Sequence, residues 1–82
     1  MQFEEEELEK EEFEFKNRLG AKIKSYRLKA GLSQHNLGLQ SNISRTQISR
    51  LENGEVSTTV ITLLRIARAL NLDESQLLDL LE

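Results

Sequence analysis

Apolar residues recur along this chain at spacings of three and four, in short blocks separated by polar punctuation, which is the rhythm of helices packed on one core. Leu19, Ile23 and Tyr26 share a face of a first core helix predicted over about Asn17 to Ala30, with Gly31 placed as its C-terminal stop and Leu32 continuing the core. A second helix is expected to start near Ser33, with Leu37 and Ser41 on the face of Gln34. A third is expected near Ser44, with Ile48 and Leu51 turned inward. Thr58 or Thr59 is the expected N-cap of a fourth helix that ends at Leu70 or Asn71 and points Val60, Leu63, Leu64, Ala67 and Leu70 into the core. Asp73 caps a fifth, whose Leu77, Leu78, Leu80 and Leu81 are too many for one narrow stripe, so some of them are expected to face another chain. Proline is absent, glycine occurs only at positions 20, 31, 38 and 54, and no alternating strand pattern competes. The fold class is all-α, with five helices.

The stretch from Leu32 to Gly54, LSQHNLGLQSNISRTQISRLENG, is the most specific part of the pattern, because it builds two short helices that cross at a tight turn. Gly38 falls where the second helix of the pair crosses the first, and a residue without a side chain lets the two backbones approach. Asn42 falls where the chain reverses, and asparagine is the best non-glycine residue for the left-handed conformation such a turn demands. Ile43 then plugs the corner.

Such a pair of helices is a device for reading DNA, and the chemistry follows from which side chains leave the second of them. Ser44 is its expected N-cap, able also to offer its hydroxyl or backbone group to a phosphate. Arg45, Thr46, Ser49 and Arg50 project away from the buried Ile48 and Leu51, toward a major groove. Arginine pairs bidentately with guanine, and threonine presents a hydroxyl and a methyl to thymine, so Arg45 and Thr46 are the leading specificity candidates. Gln34, at the start of the preceding helix, has a free backbone amide and a side-chain amide for one phosphate oxygen. Asn53 and Gly54 can add a backbone contact from the following loop. The competing interpretation of Arg45, Thr46 and Arg50 is an ordinary solvated helix face. His35 is read as a solvent-facing residue near the DNA backbone, and Tyr26 as packing.

These residues resemble the XRE family, the phage-repressor-like helix-turn-helix proteins, over about Leu19 to Leu81. Gly38 agrees with the family's small residue, Asn42 replaces its usual glycine, and Ser44 through Gly54 looks like its recognition helix with the closing Glu-Asn-Gly turn. The resemblance implies a compact, five-helix, lambda-repressor-like domain over residues 17–82, preceded by an acidic extension over residues 1–16. It adds Gln47 as a position that often touches DNA, makes Arg50 either a base reader or a phosphate clamp, and implies that Gln34 both grips a phosphate and braces Arg45. It also implies a charged bridge from Arg27 to Glu52, where the ordinary alternative is a surface ion pair worth less than ~1 kcal/mol. A phage-type repressor, a restriction-modification controller and an antitoxin that represses its own operon all fit the chain.

Composition narrows the class further. A chain of 82 residues is one domain, and one of that size buries only roughly 60–65% of its unfolded surface, leaving little room for an enclosed catalytic pocket. It has no cysteine and a single histidine, and it shows no nucleophile–base pair, metal-ligand cluster or phosphate-binding glycine loop. No enzyme activity, cofactor or metal is therefore expected. No apolar run approaches the ~18 residues of a membrane span and the N-terminus begins with glutamates, so a cytoplasmic location without membrane contact is expected. The net charge of −3 averages two unlike segments: residues 1–15 hold eight glutamates and one lysine, hence −7, and residues 16–82 hold ten basic and six acidic residues, hence +4. The module that would meet phosphate is basic.

The expected function is a sequence-specific DNA-binding transcriptional regulator, a repressor or autoregulator working as a homodimer on double-stranded DNA. The alternative from another class is an antitoxin or protein-interaction adaptor that binds a toxin or polymerase partner through the acidic arm or the C-terminal leucines. The glutamate-rich start is read either as a disordered or solvated segment, or as a helical extension whose Phe3, Leu8, Phe13 and Phe15 dock on the body or a second protomer. In the second case it is expected to compete with DNA for the basic face.

Overall fold

In the computed structural model, which describes residues 4–82, the described residues form five α-helices and no strand. They are α1 (Glu5–Lys29), α2 (Gln34–Ser41), α3 (Arg45–Glu52), α4 (Val60–Ala69) and α5 (Glu74–Leu80). Phe3, one of the aromatics expected to dock, lies outside the described residues.

Local chemistry sets where these helices start and stop. Ser33, Ser44, Thr59 and Asp73 each precede a helix, and each side-chain oxygen accepts an N–H from three residues on: Asn36 at 3.0 Å, Gln47 at 3.1 Å, Thr62 at 3.1 Å and Gln76 at 2.8 Å. Gln76 returns the bond to the Asp73 N–H at 2.9 Å, completing a capping box. At the other ends, Asn42 (φ 58°) and Asn71 (φ 56°) take the left-handed conformation. The next N–H, of Ile43 or Leu72, then reaches back to Gly38 or Ala67. Gly31 does the same for α1, delivering Leu32 to the Arg27 carbonyl. The apolar residue after each reversal turns into the core, which couples helix termination to packing.

The core is built from Leu19 and Ile23 of α1, Leu37 and Ile43 around α2, Ile48 and Leu51 of α3, Ile66 and Leu70 of α4, and Leu80 of α5. Two expectations for α4 are corrected. Val60 is 80% exposed and Leu64 is also exposed, whereas Ile66 is fully buried. Counting helical turns from Leu63 gives 63, 66, 67 and 70 as the inward stripe; Leu64 falls about 110° from its centre, and Val60, near the edge of the stripe, is the first residue of α4 and lies beyond the covered turns. In α5, Leu80 is buried and Leu77 packs against the core, while Leu78 and Leu81 remain outside.

The expected start of the first helix near Asn17 is also revised, since α1 is already formed at Glu5 and runs through the acidic segment without interruption. Its 25 residues span roughly 37 Å at 1.5 Å per residue, which accounts for the 40 Å long dimension of the molecule. Phe15 packs against the core, whereas Phe13 is exposed.

Two features attach α1 to the body. Gly20 lies against the end of α3, where an added Cβ would stand 2.6 Å from the Glu52 carbonyl oxygen and closer still to that of Leu51. At the opposite flank the Tyr26 hydroxyl donates to Asp79 at 2.8 Å, the Lys22 ammonium donates to the Asp79 carbonyl, and Arg18 donates to the Glu82 carbonyl at 3.1 Å. The Tyr26 hydrogen bond, aided by the charge of Lys22, holds the Asp79 carboxyl below the ordinary carboxylate range. The same bond raises the Tyr26 phenol.

Two outcomes follow from these attachments. In a helix interior alanine is better than glycine by about 1 kcal/mol, yet Gly20→Ala is expected to be destabilising. The methyl group would meet backbone that cannot swing aside, and overpacking typically costs about 1–3 kcal/mol; a urea midpoint at or above wild type would refute this. A carboxyl with a depressed folded pKa contributes stability that is complete above its unfolded pKa and is lost as pH falls through the folded one. The α1–α5 tether therefore holds at neutral pH and releases only in acid. In an NMR titration, Tyr26→Phe should move the Asp79 midpoint upward toward the ordinary carboxylate value.

Candidate nucleic-acid interface

An eight-residue helix such as α3 is too short to persist alone, because helices under ~12 residues are marginal in water. Its position comes from the tertiary structure. Ile48 and Leu51 are sunk in the core, Ser44 caps the first turn, and Gly38 lets α2 lie close: a Cβ there would be 2.6 Å from the Ile43 carbonyl oxygen. A larger residue at 38 would push the turn and the start of α3 outward.

With one face so fixed, the other is presented to solvent. Arg45, Thr46, Gln47, Arg50 and Asn53 are exposed and Ser49 is half-buried. A shallow depression of about 450 Å³ gathers Gln34, Arg45, Thr46, Ser49, Arg50 and Asn53, six of the eight candidate residues. Ser44 borders a neighbouring hollow that also includes His35 and Arg45. Gln47 stands apart on the flank of α3, the consequence of a 200° rotation from Arg45 over two residues. Sequence reasoning missed Glu55, which lines the same depression and adds an acidic residue to an otherwise basic and neutral set. Its place just beyond the Asn53–Gly54 turn was the available signal.

Behind this surface lies a buried polar network. Arg27 and Glu52 form a two-pronged ion pair, Nε to Oε2 at 2.6 Å and Nη2 to Oε1 at 2.9 Å. Both residues are only 7% exposed, so the ordinary surface ion pair is ruled out. The third prong of the guanidinium donates to the Leu32 carbonyl at 2.8 Å. Hydrogen bonding to Glu52 keeps the arginine firmly protonated against the opposing effect of burial. The Gln34 side-chain amide donates to Glu52 Oε1 at 3.1 Å. The brace expected from Gln34 to Arg45 therefore goes to Glu52, because a buried carboxylate oxygen is the stronger acceptor within reach of that amide. The Gln34 backbone N–H is in the first turn of α2, where no carbonyl of the same helix can accept it.

Among the described residues no ion pair joins the acidic half of α1 to Arg45 or Arg50. The segment is helical from Glu5 and continuous with the rest of α1.

A basic, capped and rigidly backed helix, preceded by a partner of equal length at a left-handed asparagine turn, defines a helix-turn-helix unit of the phage-repressor type. The chain belongs to that family: its helix-turn-helix sequence profile matches residues 23–77. The chain is also similar to several solved structures of gene regulators. The restriction-modification controller C.Esp1396I matches with a TM-score of 0.75 and 28% identity, covering 82% of this chain and 86% of the other. The controller C.AhdI from Aeromonas hydrophila matches with a TM-score of 0.72 and 26% identity, covering 76% of this chain and 94% of the other. The clp gene regulator ClgR from C. glutamicum matches with a TM-score of 0.72 and 26% identity, covering 78% of this chain and 83% of the other. No curated protein matches the sequence. The family and these neighbours are those of DNA-binding transcriptional regulators.

Removing one member of a buried ion pair leaves an uncompensated charge and costs about 3–5 kcal/mol, whereas replacing both by apolar residues of similar volume is often neutral. Glu52→Ala should thus lower the unfolding free energy by about that amount. The double change Arg27→Met with Glu52→Leu should recover most of it, as read by urea denaturation.

Proposed function

We propose that the protein is a sequence-specific regulator of transcription that acts as a homodimer, placing α3 of each protomer in a major groove of duplex DNA. The observation that carries this reading is the convergence of Gln34, Arg45, Thr46, Ser49, Arg50 and Asn53 on one exposed depression over a buried, hydrogen-bonded support. Arg45 and Thr46, on the first turn of α3, take the base edges. Ser49 follows one turn on, and Arg50 takes a guanine or a phosphate. Ser44, the Gln34 backbone N–H and Asn53 hold phosphate oxygens, and Gln47 meets the flanking backbone. The carboxylate of Glu55 disfavours phosphate at its own edge of the depression and suits a cytosine amino group.

Dimerisation is supported by scale and by surface. One such helix touches too few bases for typical specific affinity, and two of them about one helical turn apart double the readout. Leu78, 62% exposed, and Leu81, 51% exposed, offer apolar area on α5 for a partner. Among the described residues no helix is long and apolar enough to cross a membrane. We read the protein as a non-enzymatic cytoplasmic regulator, in the manner of a controller or repressor.

Selecting bound duplexes from a random pool should enrich a palindrome with half-sites about one turn apart. Against that site, Arg45→Ala and Thr46→Ala should each weaken binding roughly 5- to 150-fold, corresponding to about 1–3 kcal/mol per lost base contact, and flatten the preference at one position of each half-site. A pool that emerges without sequence preference would reject the reading.

A further inference from the structure

The acidic half of α1 forms one wall of a groove of about 640 Å³ whose other wall is the loop after α3 and the start of α4. Its apolar lining comes from Leu8, Phe15, Leu19, Val56 and Leu63, and Glu11, Glu12 and Lys16 stand among them, which leaves negative charge in excess. The stripe 8, 12, 15, 19 has the spacing of a helix seam, so Glu12 occupies a seam position between Leu8 and Phe15. Whatever fills this groove must offer apolar side chains for Leu8 and Phe15 and a cation for the carboxylates, since a covered carboxylate is costly unless paired. Among the described residues neither Glu11 nor Glu12 has an ion-pair partner.

The outer face of α4 in this same chain has that complementary composition. Ile61 is 59% exposed and Leu64 39% exposed, and Arg65 and Arg68 share their side of the helix. Among the described residues neither arginine is ion-paired. One molecule cannot satisfy itself: α4 lines its own groove with Leu63, on the inward side, so Ile61, Leu64, Arg65 and Arg68 point away from it. A second copy can. We propose that the groove between the acidic half of α1 and the start of α4 receives the outer face of α4 from a second copy of the chain, reciprocally, with Glu11 and Glu12 meeting Arg65 and Arg68.

This rests on the dimer reading above and names its interface. A reciprocal exchange is what a two-fold axis requires, because the same patch then serves as groove on one protomer and as guest on the other. The exposed end of α5 adjoins the groove. Arg18 holds the Glu82 carbonyl at 3.1 Å while its guanidinium lies 5.9 Å from the Phe15 ring centre, so Leu81 sits beside the same wall. The proposal also gives the acidic segment a task that leaves α3 uncovered.

Sedimentation equilibrium of the full chain without DNA tests it through a charge exchange. The pair Glu11→Lys with Glu12→Lys, and separately Arg65→Glu with Arg68→Glu, should each weaken self-association by roughly tenfold or more, because like charges would face each other across the contact. Mixing the two variants in equal amounts should restore dimers of near wild-type affinity, since each arm then meets an oppositely charged α4. Restoration also shows that both variants are folded. A dimer indifferent to the reversals, or a mixture that stays monomeric, overturns the interface and leaves the groove to a basic helix of another protein. A wild-type chain that is monomeric yet still selects a DNA sequence overturns the dimer and this interface together, while α3 keeps its reading role.

Discussion

The Arg27–Glu52 pair is the constraint on which the reading surface depends. It joins the last turn of α1 to the last turn of α3, and by taking a third hydrogen bond from Arg27 to Leu32 and a fourth from Gln34 to Glu52 it also fixes the start of α2. Three helices and the turn at Leu32 are thereby held around one ion pair. Such a pair is weak evidence for stability, because desolvation offsets much of the attraction. Its contribution is geometric: a planar guanidinium accepts a carboxylate in one orientation, which sets both how far α3 lies from α1 and how it is rotated about its own axis. A rotation of one residue would carry Arg45 and Thr46 a quarter turn or more away from Gln34.

The backbone contacts around this pair act in the same direction. Gly20 brings α1 down onto the carbonyl groups of Leu51 and Glu52, and Gly38 brings α2 onto the turn before α3. Arg27 is seven residues beyond Gly20, two turns along the same helix. The close approach at Gly20 is therefore what allows a side chain of fixed length to reach Glu52 with both prongs. Helix α3 has little stability of its own, and everything that orients it, namely the Ser44 cap, Ile48, Leu51 and Glu52, points inward. The residues that point outward carry almost no structural duty and are free to encode specificity.

Much of this was legible in the residues. Helix starts at Ser33, Ser44, Thr59 and Asp73 and reversals at Gly31 and Asn42 were readable because a cap or a left-handed residue is a local event set by one or two side chains. Where the sequence reading departed from the structure, a nonlocal partner decided. Val60 and Leu64 are apolar but outward, because the position of α2 sets which stripe of α4 is covered. Glu5 to Glu14 are helical despite their like charge, because α1 propagates outward from a nucleus already packed at Leu19 and Ile23 and carries acids in its first turn, where the helix dipole favours them. Of the site, the outward set on α3 could be placed by counting turns. The bond from Gln34 to Glu52, and Glu55 at the rim, depend on how the ends of two helices face each other, which no spacing rule contains.

The helical continuity of α1 also bears on an electrostatic question raised by the split of charge. Residues 1–15 carry a formal −7, enough to repel DNA were all of it near the reading face. Asn17 packs against Gly54, beside Asn53 at the edge of that face, so along the helix Glu4 through Glu7 lie roughly 15–20 Å from that edge and Glu9 through Glu14 roughly 5–12 Å, at 1.5 Å per residue. The Debye length is about 8 Å at physiological salt and about 30 Å at 0.01 M. The first turn of the arm is thus about two screening lengths away under cellular conditions, while Glu9 to Glu14 lie near or within one. Holding the glutamates along a helix therefore lets only part of the formal charge act on the basic surface. Were the segment a flexible tail, its glutamates would reach the arginines of α3, and the net charge of the molecule would govern binding in place of the local one.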